Sequence, residues 1–346
     1  MKKAIVTGGS GYFGNLMINE LINRGWSVKN LDINNPNEPI TGCEFIKADV
    51  RNLNSIPEKV FSGIDCVFHN VALVPITKSE DYRETNVNGT RNIIENSIKN
   101  GVKNFVHLSS SAIYGVPESN PVDEKVLPSP AEKYGQSKLD TEIILSAYSK
   151  KIDISIIRPR TILGHGRLGI FQILFDWVQR GWNIPVLGDG KNIYQFIHSD
   201  DLTNACILAS NTSGLNFYNV GSQKYSTMRD TLQALCDYSN TGSKVISIPF
   251  ETSEFLMNLS SFLKISPLGP YHSLVYGRSL YFNTRKIEKE LGWESKYSNE
   301  DAIIDSYKNY VQNFTENKFK ESFSPHTSYT KQKVIRLFGL LLNLYR

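Results

Sequence analysis

A chain of 346 residues has ample material for a buried core in one large domain or two ordinary ones, which excludes a small stapled fold. Hydrophobic residues make up 40% and charged residues 21% with both signs mixed, so the chain is globular rather than disordered or fibrous. Residues 316–346 hold six basic and two acidic side chains and so carry the whole net charge of +4; the neutral body offers no cationic face for nucleic acid, and small molecules are the expected ligands.

Lys3–Thr7 reads as a short buried strand, and Phe13, Leu16, Met17 and Leu21 follow it at helical spacing. Glycines arrive too early for the apolar core of a signal peptide. Further strands are expected near Val28–Leu31, Glu44–Ile46, Cys66–His69, Phe105–Leu108 and Ile154–Ile157, with helical segments around 52–61, 81–99 and 134–150. Such alternation implies an α/β fold, a doubly wound parallel sheet of the Rossmann type with ligands at the carboxyl ends of its strands. Residues 1–160 are assigned to this cofactor-binding domain, with later segments free to return to it. The pattern then changes to helices at 168–181, 200–210, 227–238, 251–264 and 299–314 and short strands near 217–220 and 244–248, so 161–315 is read as a smaller C-terminal, mainly substrate-binding part.

Residues 316–330 are polar and read as a linker. From Lys333 to Arg346 the spacing predicts an amphipathic helix with a narrow basic stripe and a wide apolar face. It packs on its own body, on a second copy in a homodimer, or peripherally on a membrane. No stretch approaches the ~20 apolar residues that span a bilayer. The four cysteines show neither a CxxC pair nor metal-ligand spacing, so a cytoplasmic protein without a metal is expected.

Between the first strand and first helix stands Thr7-Gly8-Gly9-Ser10-Gly11-Tyr12-Phe13-Gly14. Gly8 allows a tight turn, Gly11 lets the backbone approach a pyrophosphate, and Gly14 lets helix pack on strand, while the helix N-terminus favours an anion. Asp32 ends the second strand, where a carboxylate accepts from the adenosine ribose and repels a 2′-phosphate, so NAD is preferred to NADP. Asp49-Val50, after the third strand, borders the adenine on this reading, although Asp49 fits a helix N-cap equally well.

Tyr134 and Lys138 lie one helical turn apart on one face. A phenol is a poor base at neutral pH, and a neighbouring cation favours the phenolate that takes a proton from a hydroxyl. About one such pair is expected by chance in this composition, and Tyr329/Lys333 in the tail is a second match; position favours the first. The fifth strand runs into Ser109-Ser110-Ser111-Ala112-Ile113-Tyr114-Gly115, which puts a hydroxyl at the carboxyl edge of the sheet.

With these residues in place the chain resembles the extended short-chain dehydrogenases/reductases of the NAD-dependent epimerase/dehydratase family over roughly residues 3–314. Further markers are Asn86-Val87-Asn88-Gly89-Thr90, Arg158-Pro159, the stretch from Gly188-Asp189-Gly190 to His198-Ser199-Asp200-Asp201, and Glu290-Leu291-Gly292-Trp293. The resemblance implies Ser110 as catalytic hydroxyl, Tyr134 as acid/base and Lys138 as its ribose-binding partner. It further implies that Tyr12, Phe13, Val71, Ala72, Asn86, Ser109 and Pro159 join Gly8, Gly11, Gly14, Asp32, Asp49 and Val50 around NAD.

Departures from the family pattern bear on substrate. Dehydratases of the family carry an Asp-Glu pair after the catalytic hydroxyl; Ser111 and Ala112 stand here, which disfavours water elimination. Nucleotide-sugar members usually place an arginine where this chain has Gln195, a candidate substrate-binding residue that can donate hydrogen bonds but cannot make a charged bidentate contact with a diphosphate. Arg160, Arg167 and Arg278 are candidates to compensate, with Ser111 beside them. The expected activity is NAD-dependent oxidation of a secondary alcohol, foremost as a nucleotide-sugar epimerase. The alternatives are a 3β-hydroxysteroid-like or lipid-alcohol dehydrogenase and a non-catalytic NAD sensor.

Overall fold

The computed structural model describes residues 1–75, 81–166, 171–249 and 276–315. The helix expected at 251–264, the linker and helix expected within 316–346, and Arg167 lie outside them.

Strand β1 (Lys3–Thr7) is buried from Ala4 to Thr7, as an apolar, β-branched run covered on both faces should be. It is followed by α1 (Tyr12–Asn23), β2 (Ser27–Asp32), β3 (Cys43–Lys47), β4 (Cys66–His69), α2 (Gly89–Lys99), β5 (Asn104–Leu108), α3 (Lys133–Ala147) and β6 (Asp153–Pro159). Beyond these come β7 (Thr161–Leu163), α4 (Phe171–Gln179), β8 (Ile184–Leu187), β9 (Phe196–His198), α5 (Ser199–Ala209) and β10 (Leu215–Val220). The described chain ends with α6 (Met228–Ser239), β11 (Val245–Ile248), α7 (Arg285–Leu291) and α8 (Asn299–Thr315).

Seven parallel strands form the main sheet in the order β10-β6-β5-β4-β1-β2-β3. The chain winds outward from β1 to β3 and then returns to β4, so a switch point opens between β1 and β4. Thr7 pairs with both Leu31 and His69, which brings Gly8, Asp32 and Asn70 to one rim.

Apolar side chains cover both faces. One cluster joins α1 and α5, including Met17, Leu21, Leu202 and Cys206, and extends to Trp293, whose indole donates to Asp201 O at 2.9 Å. Another packs α2 and Leu145 of α3 against Ile5, Leu31 and Ile154. The C-terminal part has its own core, where α4, α6 and α8 enclose β8 and β9 through Phe175, Leu235 and Tyr310. The late strand β10 returns to the edge of the main sheet beside β6.

Two expectations need correction. The stretch 52–61 is not one helix but two 3-10 turns, Leu53–Ser55 and Glu58–Phe61; Asn52 caps the first, and Pro57 between them has no N–H to continue it. The expected helix at 81–99 begins with a π-helical turn, Arg83–Asn88, before α2.

No helix among the described residues is long and apolar enough to cross a membrane. All four cysteines are free thiols.

Candidate active site

A cleft of about 500 Å³ opens over the switch point, and both the sheet and the C-terminal part line it. At one end lies the β1–α1 turn. Gly8 has φ +70°, and a Cβ on Gly14 would sit 2.1 Å from Gly8 O, so neither position tolerates a side chain without displacing the turn. Gly11, Tyr12 and Phe13 line the same end, and no side chain caps α1. Its first amides therefore suit an anion.

Asp32 lines the cleft at the end of β2. Its two oxygens accept from Ser10 N at 3.0 Å and Asn34 N at 2.9 Å, which fixes the carboxylate. Burial pushes its pKa above the usual carboxylate range, against the opposing amides of Asn34 and Ser10. Val50, Val71 and Ala72 line the next stretch, as does Asp49. Asp49 does not cap the turn that follows; it pairs with Arg51 at 2.7 Å, and that hydrogen bond lowers its pKa. Asn70 faces the same cleft with a buried Nδ2 that has no acceptor.

The opposite end gathers Ser109, Ser110, Ser111, Tyr134, Lys138 and Pro159. Ser110 ends the β5 loop, its hydroxyl accepting from Ala112 N at 3.1 Å. Tyr134 is set by Glu132, the N-cap of α3, whose carboxylate accepts from the amides of Tyr134 and Gly135 at 2.6 Å each. One turn on, Lys138 is 2% exposed and donates from Nζ to Leu108 O at 2.7 Å. Burial lowers its pKa to about 8, with the Glu142 charge pulling the other way. Beneath it lie buried His69 and His107, stacked at 5.5 Å; burial and the Lys138 charge push His69 down to about 3 and lower His107 as well.

With this geometry established, comparison with known proteins is informative. A sequence model of the NAD dependent epimerase/dehydratase family matches residues 4–221. The chain belongs to that family. A relative in Sinorhizobium fredii, described as uncharacterized protein y4nG, is 46% identical over 99% of this chain and 87% of its own length. UDP-glucose 4-epimerase 2 of rice is 28% identical over 89% of this chain and 81% of its own. Among solved structures, a UDP-glucose 4-epimerase of Thermotoga maritima with UDP-glucose superposes at a TM-score of 0.76 and 22% identity, covering 90% of this chain and 99% of that one. The fold is the family's, and NAD is its cofactor.

The cleft fits that cofactor on its own terms: a glycine turn that a Cβ would fill, an uncapped helix N-terminus, a fixed carboxylate after β2 and an orphaned amide donor at Asn70. On the proposed reading the turn would hold the pyrophosphate, Asp32 the adenosine ribose, and Pro159, Tyr134 and Lys138 the nicotinamide end.

Three expected site residues do other work, and a fourth stands off the cleft. Asn86 does not line the cleft; buried in the π-helical turn, it accepts from Leu73 N at 2.7 Å and donates to Ser137 Oγ at 2.9 Å, tying the β4 loop to α3. Ser109 lines the cleft but gives its hydroxyl to Glu142 at 2.5 Å. Gln195 is 0% exposed and turned inward: its amide donates to Ser222 O at 2.7 Å and accepts from Phe282 N at 2.9 Å, so it cannot meet a substrate. Arg278 is exposed and absent from the cleft wall, where Tyr276 stands instead.

Sequence reading missed Glu142, Tyr194 and Tyr276. Glu142 lies one further turn along the Tyr134/Lys138 face of α3, a signal that was available. It holds Arg158 through Nη2 at 2.6 Å and Nε at 3.1 Å; Arg158 in turn donates to Tyr114 Oη at 2.7 Å. No metal-ligand spacing marks the sequence, yet His165, His198 and Asp305 bring donor atoms within 4.8 Å of one another. His198 Nδ1 accepts from Asp200 N at 3.2 Å, which leaves the ring proton on Nε2 facing Asp305 at 3.3 Å. The group is a hydrogen-bonded cluster that fastens α8 to the end of β9.

Proposed function

We propose that the chain oxidises and re-reduces a secondary alcohol with NAD, acting as an epimerase on a nucleotide-linked sugar. The observation that carries this reading is the meeting of Ser110, Tyr134, Lys138 and Pro159 at one end of a cleft whose other end holds the glycine turn and Asp32. Ser110 holds the substrate oxygen, and Tyr134 takes its proton. Protonated Lys138 favours the phenolate that does so. Bound NAD supplies the hydride acceptor and donor. Return of the hydrogen to the opposite face of the carbon inverts the centre without net redox change. Ser111 and Ala112 supply no carboxyl group beside Ser110, which argues against water elimination. The description of the rice relative supports the sugar-nucleotide class.

The aromatic wall of Phe171, Tyr194 and Tyr276 favours the second reading, dehydrogenation of an apolar alcohol. One assay separates the two. NAD-loaded protein is incubated with UDP-glucose and other nucleotide sugars or with hydroxysteroids, and products and NADH are followed together. The epimerase interconverts two sugars without accumulating NADH; the dehydrogenase forms NADH in step with ketone. Tyr134→Phe should lower either turnover by about 100-fold or more while NAD still binds. Full turnover in that variant would remove the proposed base.

A further inference from the structure

Two arginines leave β6 for the interior, and the protein treats them differently. The Nε–Nη2 edge of Arg158 is met by both oxygens of Glu142. Arg160 is as buried, at 1% exposed, yet meets no carboxylate among the described residues. Its Nη1 donates to Ser111 Oγ at 2.9 Å, and its guanidinium stacks over Tyr194 at 4.7 Å and Phe282 at 5.7 Å. Its Nε and Nη2 are buried without an acceptor.

A guanidinium keeps its charge at any physiological pH, and buried cations are normally paired. Aromatic stacking engages the faces of the group and leaves its in-plane N–H edge untouched. The unmet edge of Arg160 is the fork that matches two oxygens of a carboxylate or phosphoryl group, as Arg158 demonstrates two residues earlier. Arg160 lines the cleft, directly after Pro159, and its partner Ser111 adjoins Ser110. The other cations of the cleft wall are engaged: Arg51 with Asp49, and Lys138 with Leu108 O. The carboxylates on the described wall, Asp32 and Asp49, stand at the opposite, cofactor end.

We propose that the Nε–Nη2 edge of Arg160 receives an oxyanion carried by the substrate, so that the alcohol turned over here is an acidic one. This rests on the preceding assignment of Ser110 and Tyr134 to the reacting alcohol. A carboxylate on the reacting ring and a phosphoryl group share the required chemistry.

The test measures binding to NAD-loaded wild type, Arg160→Lys and Arg160→Gln by calorimetry. The probes are UDP-glucuronate, UDP-glucose and UDP, with glucuronate and glucose 6-phosphate against glucose for a substrate without a nucleotide. If the oxyanion is a ring carboxylate, Arg160→Gln weakens the glucuronate probes by about 10- to 100-fold and leaves UDP-glucose and glucose, which lack that carboxylate, unchanged. If it is phosphoryl, UDP, UDP-glucose and glucose 6-phosphate weaken together. Arg160→Lys keeps the charge but not the fork and should fall between. Wild type that prefers no anionic probe, or equal affinities in wild type and Arg160→Gln, overturns the proposal.

A second measurement needs no ligand. An unpaired buried cation destabilises the empty protein, so Arg160→Met should raise the thermal midpoint of the apoprotein. A lowered midpoint together with unchanged binding makes Arg160 a structural post and overturns the proposal as well. Failure of the alcohol-oxidation reading shows separately, as absence of turnover in wild type.

Discussion

Asp32 joins a structural role to a proposed one: its oxygens hold the amides of Ser10 and Asn34, so it braces the loops at the mouth of the cleft, and it is the residue proposed to meet the ribose. Asp32→Ala should therefore weaken NAD by about 10- to 100-fold but NADP much less, since the variant also relieves repulsion of a 2′-phosphate; titration of both cofactors checks this, and equal losses would remove the ribose assignment. Lys138 gives a pH signature. With its pKa held near 8 against 10.5 for an ordinary lysine, the unfolded chain carries a proton between pH 8 and 10.5 that the folded chain has released. Stability from this group climbs through that window, by about 3 kcal/mol in all, and below pH 8 the whole burial penalty is present. The thiols of Cys43 and Cys236, pushed up to about 11 and 12 by burial, act in the opposite direction, so the quantity to measure is wild type minus Lys138→Met at each pH. A difference that stays flat from pH 7.5 to 10.5 would contradict the buried cation. At this scale the sequence exposed residues whose role follows from spacing, such as Tyr134 with Lys138 and Gly8 with Gly14. Gln195 was misread because spacing says nothing about which way a side chain turns when backbone groups compete for it.

Helix α3 is the element on which the proposed chemistry depends. Glu132 caps its start, Tyr134 and Lys138 follow on one face, and one turn later Glu142 locks the helix to β6 through Arg158 and to β5 through Ser109. The position of the phenol is thus set by a buried ion pair deeper in the protein. Glu142→Gln leaves the Arg158 charge buried without its counter-ion and should cost about 3 kcal/mol of stability, read from the midpoint of urea unfolding. The same change removes the charge that holds the Lys138 pKa up, so the alkaline window of Lys138 should shift to lower pH. A variant of unchanged midpoint would mean the pair is not what anchors the helix. Elements in the regular strand–helix alternation, such as α1, α3 and the strands from β1 to β6, were legible in sequence. Strands β7, β8 and β9 were not: they lie outside that alternation, and β7 and β9 are only three residues long.

On the scale of the molecule, the cleft is where two cores meet. The first half of the chain supplies the turn, Asp32 and the serines; the C-terminal part supplies Phe171, Tyr194 and Tyr276. A ligand that fills the cleft therefore binds the folded state through both parts, and its binding energy adds to stability by mass action. NAD at a hundred times its dissociation constant should raise stability by about 2.7 kcal/mol, seen as a higher thermal midpoint that grows with the logarithm of NAD concentration. Gly14→Ala tests whether that gain passes through the glycine turn. Its new methyl group must push away Gly8 O, a backbone atom that cannot swing aside. The variant should keep the sheet, lose part of its intrinsic stability and respond to NAD only at far higher concentration. A variant whose midpoint rises with NAD as the wild type's does would place the pyrophosphate somewhere other than the β1–α1 turn.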